Sequence, residues 1–215
     1  VTSQDGRPTA RHTPRGTVTK ARIVDEAITL LRERGVAGTS LDAVMTASGT
    51  SKSQLYHYFA DKDALITEVI KAELDRIISQ QEPSLSGVTT WDGLERWCGQ
   101  VVTVTRVTQG VGGCPLGSFV GELAERSESA RLELAQSFAE WQSYLSAGFT
   151  VMRDNGELVA EADPDELALT MMSALQGGLL MAQINRSARP VELALDMALG
   201  HLAGYRVSPT QTSPR

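Results

Sequence analysis

Apolar residues recur every three or four positions along most of this chain, the spacing that places them on one face of an α-helix. Ile23, Ala27, Leu30 and Leu31 fall at i, i+4, i+7 and i+8, which predicts a helix from about Thr19 to Arg34, stopped by Gly35. Leu41, Val44 and Met45 mark a second, short helix. Thr39 or Ser40 can cap it, with Asp42 completing a capping box from Thr39. Gly49 ends it, because a residue without a Cβ enters the left-handed conformation freely. Ser51 caps a third helix that turns Leu55 and Phe59 inward, and Asp61 caps a fourth that runs to about Gln81.

The rest of the chain continues in the same way. Glu82 to Thr89, with Pro83 and Gly87, reads as a loop, and Thr90 caps a helix from Trp91 to about Gln109. Gly110-Val-Gly-Gly-Cys-Pro is a break. It is no dinucleotide fingerprint, since Pro115 stands where a third glycine would and no strand precedes it. Helices follow at about Leu116–Arg126 and Ser129–Asp154, the second with Phe138, Trp141, Leu145, Phe149 and Met152 in one stripe. Asp163-Pro164-Asp165-Glu166 joins a cap, a first-turn proline and acids against the dipole, and starts a helix to about Asn185. Pro190 opens a last helix that ends near Tyr205. The fold class is all-α: an N-terminal three-helix helix-turn-helix domain and a larger C-terminal helical domain. The boundaries read as a disordered basic arm (1–16), the helix-turn-helix domain (17–64), an effector-binding and dimerisation domain (65–206) and a disordered tail (207–215).

The short third helix carries the chemistry. With Leu55 and Phe59 inside, Lys52, Ser53, Gln54, Tyr56 and His57 face out, and no acidic residue occurs from Ala43 to Ala60. A cation, hydroxyls, an amide and amphipathic rings are the groups that bond phosphates and base edges. A short second helix presented after a glycine turn is the geometry that enters the major groove. Thr39, Ser40 and Ser51 would stand near phosphates. The ordinary alternative is an αα-corner with a polar outer face.

Gly-Thr-Ser-Lys-Ser-Gln-Leu-Tyr-His-Tyr-Phe-Ala-Asp-Lys-Asp-Ala-Leu, residues 49–65, resembles the signature of the TetR family of bacterial transcriptional regulators, and residues 20–70 match that family's N-terminal domain throughout. The resemblance implies a phosphate-contacting lysine at Lys62, where a cation at a helix start otherwise opposes the macrodipole. It further implies a cytoplasmic homodimer that represses from a palindromic double-stranded DNA operator. A mostly apolar small-molecule effector held between C-terminal helices would release it by changing the separation of the recognition helices. The Cys114-Pro-Leu-Gly segment resembles one in a subgroup that includes flavonoid-responsive repressors.

Charge changes the picture once it is divided along the chain. The formal net charge of −6 looks wrong for a DNA binder. Residues 1–80, however, hold 11 Lys and Arg against 10 Asp and Glu, while residues 81–215 hold 9 against 16. All four lysines (Lys20, Lys52, Lys62 and Lys71) lie in the first third, so the cationic character is local. Residues 1–22 carry +4, either as a solvated tail or as an arm along the backbone or in the minor groove. Cys98 and Cys114 form no disulfide framework or zinc site, and no N-terminal apolar signal segment precedes the first helix, which fits a cytoplasmic chain.

Catalytic and metal sites are not expected. His12, His57 and His201 fall in three separate regions, and no nucleophile triad, metal-ligand spacing or phosphate loop is present. Cofactors are likewise expected to be none. Leu167 to Asn185 runs for 19 residues without a charge, yet Thr170, Ser173, Gln176 and a glycine pair interrupt it, so a helix buried against a partner subunit is the reading, not a membrane span. An effector would meet Trp97, Phe119, Trp141, Phe149 and Met172 as walls, with Cys114 and Gln176 as polar contacts. Gln176 either bonds across the dimer or faces the ligand. The expected cavity is on the order of a few hundred Å³ and lies beside Trp141. The acidic domain favours a neutral or cationic aromatic occupant. A ligand-free DNA-bound adaptor, or an enzyme with an added DNA-binding domain, are the alternatives.

Overall fold

The computed structural model describes residues 14–207. Most of the expected basic arm and of the expected tail therefore lie outside the described residues. The described residues form nine helices and divide into two compact units, residues 1–69 and 70–215, with the fourth helix running from one into the other.

In the first unit, α1 (Pro14–Gly38) starts five residues earlier than its apolar period suggests. Proline suits a first turn, whose N–H groups have no helical partner in any case. The helix leaves regular geometry at Gly35, with φ 70° and ψ 174°, where the sequence places its stop. α2 (Leu41–Ser48) is capped by Ser40, whose Oγ accepts the Ala43 N–H at 3.1 Å. Thr39 is not the cap, which corrects the capping box expected from Thr39 and Asp42. It is buried, and its hydroxyl donates to the Gly35 carbonyl that the kink leaves open, at 2.9 Å. Gly49 takes the left-handed conformation (φ 61°, ψ 30°) that closes α2 and turns the chain into α3 (Lys52–Tyr58). The box forms instead on α3: Ser51 Oγ accepts the Gln54 N–H at 3.2 Å, and Gln54 Oε1 accepts the Ser51 N–H at 2.9 Å. Ile23, Ala27, Val44, Leu55, Phe59 and Val69 are all but fully buried and make the small core behind it.

The second unit holds the remainder of α4 (Lys62–Leu85), then α5 (Trp91–Val107), α6 (Pro115–Leu123), α7 (Glu128–Asp154), α8 (Pro164–Asn185) and α9 (Arg189–Ala203). α4 outlasts its expected end at Gln81 because Pro83 falls in the last turn, where the lost N–H removes little. Thr90, Ser127 and Asp163 cap α5, α7 and α8 through their side chains, and Cys114 caps α6 by accepting the Gly117 N–H on sulfur at 3.4 Å. Trp97, Leu116, Trp141, Leu145, Phe149 and Met152 form the deepest layer, each under 2 % exposed or close to it. The segment after α9 is tied back by an antiparallel bridge between Leu158 and Arg206, and the Arg206 guanidinium lies 4.8 Å from the centroid of Trp91.

α8 is long and apolar enough to cross a membrane by length and composition alone. It packs between α7 and α9, burying Leu167, Ala168, Met171, Met172, Leu175 and Ala182. Its other face leaves Leu169, Leu180, Met181 and Ile184 exposed, and Leu193 and Met197 of α9 are exposed as well. Leu195 and Leu202 of α9 are buried within the unit at 1 % and 0 % exposure, because their side of α9 is the one that meets α8 and the core.

The two adjacent glycines of α8 separate cleanly. A Cβ on Gly178 would stand 2.8 Å from Val191 Cα, so the close crossing of α8 and α9 requires glycine there; a Cβ on Gly177 would meet nothing within 4 Å. Gly178→Ala should therefore destabilise by about 1–3 kcal/mol. Gly177→Ala should stabilise by roughly 0.5–1 kcal/mol, the usual gain from alanine inside a helix. Thermal unfolding of the two variants checks this: the ordering reverses if the crossing is not the constraint.

Candidate functional site

Two features carry chemistry, one in each unit. On α3 the residues Lys52, Ser53, Gln54, Tyr56 and His57 are all exposed, while Leu55 is 1 % exposed, so the outward face is the one the spacing predicts. A seven-residue helix is too short to hold itself in water. Leu55 and Phe59 seat it on the core, and the Ser51–Gln54 box secures its N-terminal turn. Lys52 Nζ lies 5.9 Å from the Tyr56 ring centroid, which steers the cation along the face. Ser40 and Ser51 are exposed at the two helix starts, where free amides and hydroxyls suit phosphate oxygens.

Three of the expected contact residues are engaged within the protein. Thr39 is buried and its hydroxyl is taken by Gly35, so it does not present an oxygen to solvent. Gln54 uses its carbonyl oxygen in the capping box and leaves its amide nitrogen as the outward donor. Lys62 is half-buried, and its Nζ donates to the Val36 carbonyl at 2.5 Å, fastening the start of α4 to the last turn of α1. An ammonium brought partly out of water needs an acceptor, and the carbonyl beyond the Gly35 kink supplies one inside the unit.

In the second unit a cavity of about 500 Å³ lies among α6, α7 and α8. Of the seven residues expected at an effector site, Cys114, Met172 and Gln176 line it. Trp97, Phe119, Trp141 and Phe149 do not. They are core, with Trp97 donating Nε1–H to Gln81 Oε1 at 3.0 Å and Trp141 stacked on Phe138 at 6.4 Å between centroids. Phe138 is the aromatic wall, one helical turn before Trp141. The α8 face formed by Leu169, Ser173, Gln176, Gly177, Leu180 and Gln183 supplies most of the rest. Its spacing of three and four, with small and amide residues among leucines, was the available signal for that wall. Leu169 and Leu180 are both more than half exposed, so the cavity meets the open apolar face of α8 and is not sealed.

Neither thiol is activated. Burial pushes the Cys114 thiol up, against the opposing effect of the Gly117 and Leu116 N–H groups and the Gln176 amide. Burial, reinforced by Glu95 and Asp196, pushes Cys98 up to about 12. Both therefore stay protonated near neutral pH and behave as small apolar groups. Among the described residues no three His, Cys, Asp or Glu side chains are grouped to hold a metal ion.

The chain matches two family models. Residues 23–69 match "Bacterial regulatory proteins, tetR family", and residues 91–198 match "Tetracyclin repressor-like, C-terminal domain". Among curated proteins it is 25% identical over 179 residues to the HTH-type transcriptional repressor DhaR of Mycobacterium sp. (strain GP1), covering 82% of this chain and 88% of that one. It is 23% identical over 175 residues to the HTH-type transcriptional regulator LmrA of Bacillus subtilis, covering 80% and 90%. Among solved structures, a TetR-family transcriptional regulator from Cytophaga hutchinsonii superposes with a TM-score of 0.78 at 18% identity, over 93% of this chain and all of that one. Reduced NemR of E. coli does so at 0.73 and 21% identity, over 89% and 100%. The two family models account for both the N-terminal and the C-terminal unit, and the chain belongs to the TetR family, as a helix-turn-helix DNA-binding regulator of transcription and not an enzyme.

Proposed function

We propose that this regulator is a cytoplasmic homodimeric repressor that leaves a palindromic operator when a small, mostly apolar effector fills the cavity of the second unit. The observation that carries the reading is the 500 Å³ cavity with an apolar lining and a few amides, the composition of a ligand site. The exposed side chains of α3 would read the major groove, with Ser40 and Ser51 at phosphates. In this reading residues 17–64 engage DNA, and residues 65–206 bind effector and partner.

The dimer reading rests on the apolar face of α8 and α9. Leu180, Met181, Ile184, Leu193 and Met197 are each about half exposed or more, and a second copy of the same two helices would cover them as a four-helix bundle. Two-fold symmetry then sets the recognition helices at half-sites about 34–36 Å apart. A coupling of only ~1–3 kcal/mol between effector and DNA suffices to change occupancy five-fold or more.

Lys52→Ala should weaken binding to all DNA sequences alike and lower the slope of log affinity against log salt by about 1. Gln54→Ala should do two things: lower stability by about 0.5–2 kcal/mol through the lost cap, and relax preference at one base pair. Loss of stability with base preference intact would leave Gln54 with the capping role alone.

Ile184→Glu combined with Met197→Glu should convert the dimer to monomers in sedimentation at micromolar concentration while leaving the helical content unchanged. Operator affinity should fall with it. A variant that stays dimeric, or a monomeric wild type that still holds operator tightly, would place the subunit contact elsewhere or remove it.

A further inference from the structure

The cavity has a polarity as well as a volume. None of its lining residues is charged; its polar groups are hydroxyls, amides and one protonated thiol. The Gln176 amide lies at its inner wall with Nε2 shielded from solvent and without a hydrogen-bond partner. An amide donor without an oxygen or nitrogen acceptor in such a place is costly, and the neighbouring Cys114 sulfur, towards which it acts, is only a weak acceptor. The packing around Gln176 is close on the α6 side, since a Cβ on Gly117 would stand 3.3 Å from both Cys114 Cβ and Gln176 Oε1.

The cavity offers an anion no counter-charge. The buried Glu73 carboxylate of α4 acts electrostatically on Cys114, and no lysine or arginine lines the wall to offset it. A cation fares no better: Glu73 does not line the cavity and is paired with Arg76 at 3.5 Å, so no carboxylate receives a positive ligand. What Gln176 Nε2 lacks is an acceptor. The remaining surface is apolar, with the Phe138 ring, backed by Trp141, presenting a flat side.

We infer that the effector is an uncharged, largely apolar molecule with an oxygen acceptor, a carbonyl above all, seated on Gln176 Nε2 and packed against Phe138. This rests on the ligand-responsive reading proposed above and narrows it from neutral or cationic aromatics to neutral acceptor-bearing ones. Gln176 then serves as the ligand's polar contact and not as a bond between subunits.

The test uses matched probes on the full-length protein, read by calorimetry without DNA. Benzophenone and diphenylmethane differ by one carbonyl, and 4-benzoylbenzoate adds a negative charge. Wild type should bind benzophenone roughly three- to ten-fold tighter than diphenylmethane, the range a single hydrogen bond supplies, and 4-benzoylbenzoate more weakly than either. Gln176→Met, with Gln176→Leu as a second form should methionine fill the space, should abolish the preference, so that the two neutral probes bind alike. Equal affinity for the two neutral probes, a preference that survives both variants, tighter binding of the anion, or no binding of either neutral probe would each overturn the inference. Operator release is measured separately. Binding with the expected preference but no release would uphold the ligand chemistry and contradict the repressor reading.

Discussion

The candidate DNA-binding surface depends on holding one seven-residue helix in place. α3 is shorter than a helix that can persist alone. Two side chains, Leu55 and Phe59, fasten it to the core, and two hydrogen bonds between Ser51 and Gln54 close its first turn. Gly49 sets the angle at which it leaves α2. Once those conditions are met, the outward residues need satisfy no packing demand. They are free to be a lysine, hydroxyls, an amide and rings, and the absence of acids lets that surface approach a polyanion.

The second unit rests on a different constraint. α8 is apolar on more of its circumference than one layer of neighbours can cover. Its inner face packs on α7 and α9, one side borders a cavity, and the outermost face remains open. A ligand and a second copy of the chain would therefore meet on neighbouring faces of the same helix. That proximity offers a physical route by which filling the cavity would alter the subunit contact, because close-packed helices shift as bodies.

Much of this was legible in the residues. The helix faces, the caps at Ser51, Asp61, Thr90 and Asp163, and the outward set on α3 follow from local periodicity and capping chemistry, and local rules govern them. Long-range acceptors were not legible. No spacing reveals that the Val36 carbonyl takes Lys62, or that Gly35 takes Thr39, because both depend on a kink that brings separate segments together. The cavity wall was half legible for a related reason. Large aromatics suggest walls, but Trp97, Trp141 and Phe149 are large enough to fill the core completely, so the space lies one turn away at Phe138 and along the small and amide residues of α8.

The central claim, a two-fold regulator that reads DNA through α3, is tested most directly by selecting binding sites from random double-stranded DNA with the full-length protein. The account predicts enrichment of an inverted repeat whose half-site centres lie about one helical turn apart, on the order of 10–10.5 base pairs. It also predicts that the same selection with Lys52→Ala and Tyr56→Ala combined loses that repeat. Enrichment of a single unrepeated site, or of the same inverted repeat with α3 stripped of those side chains, would contradict it.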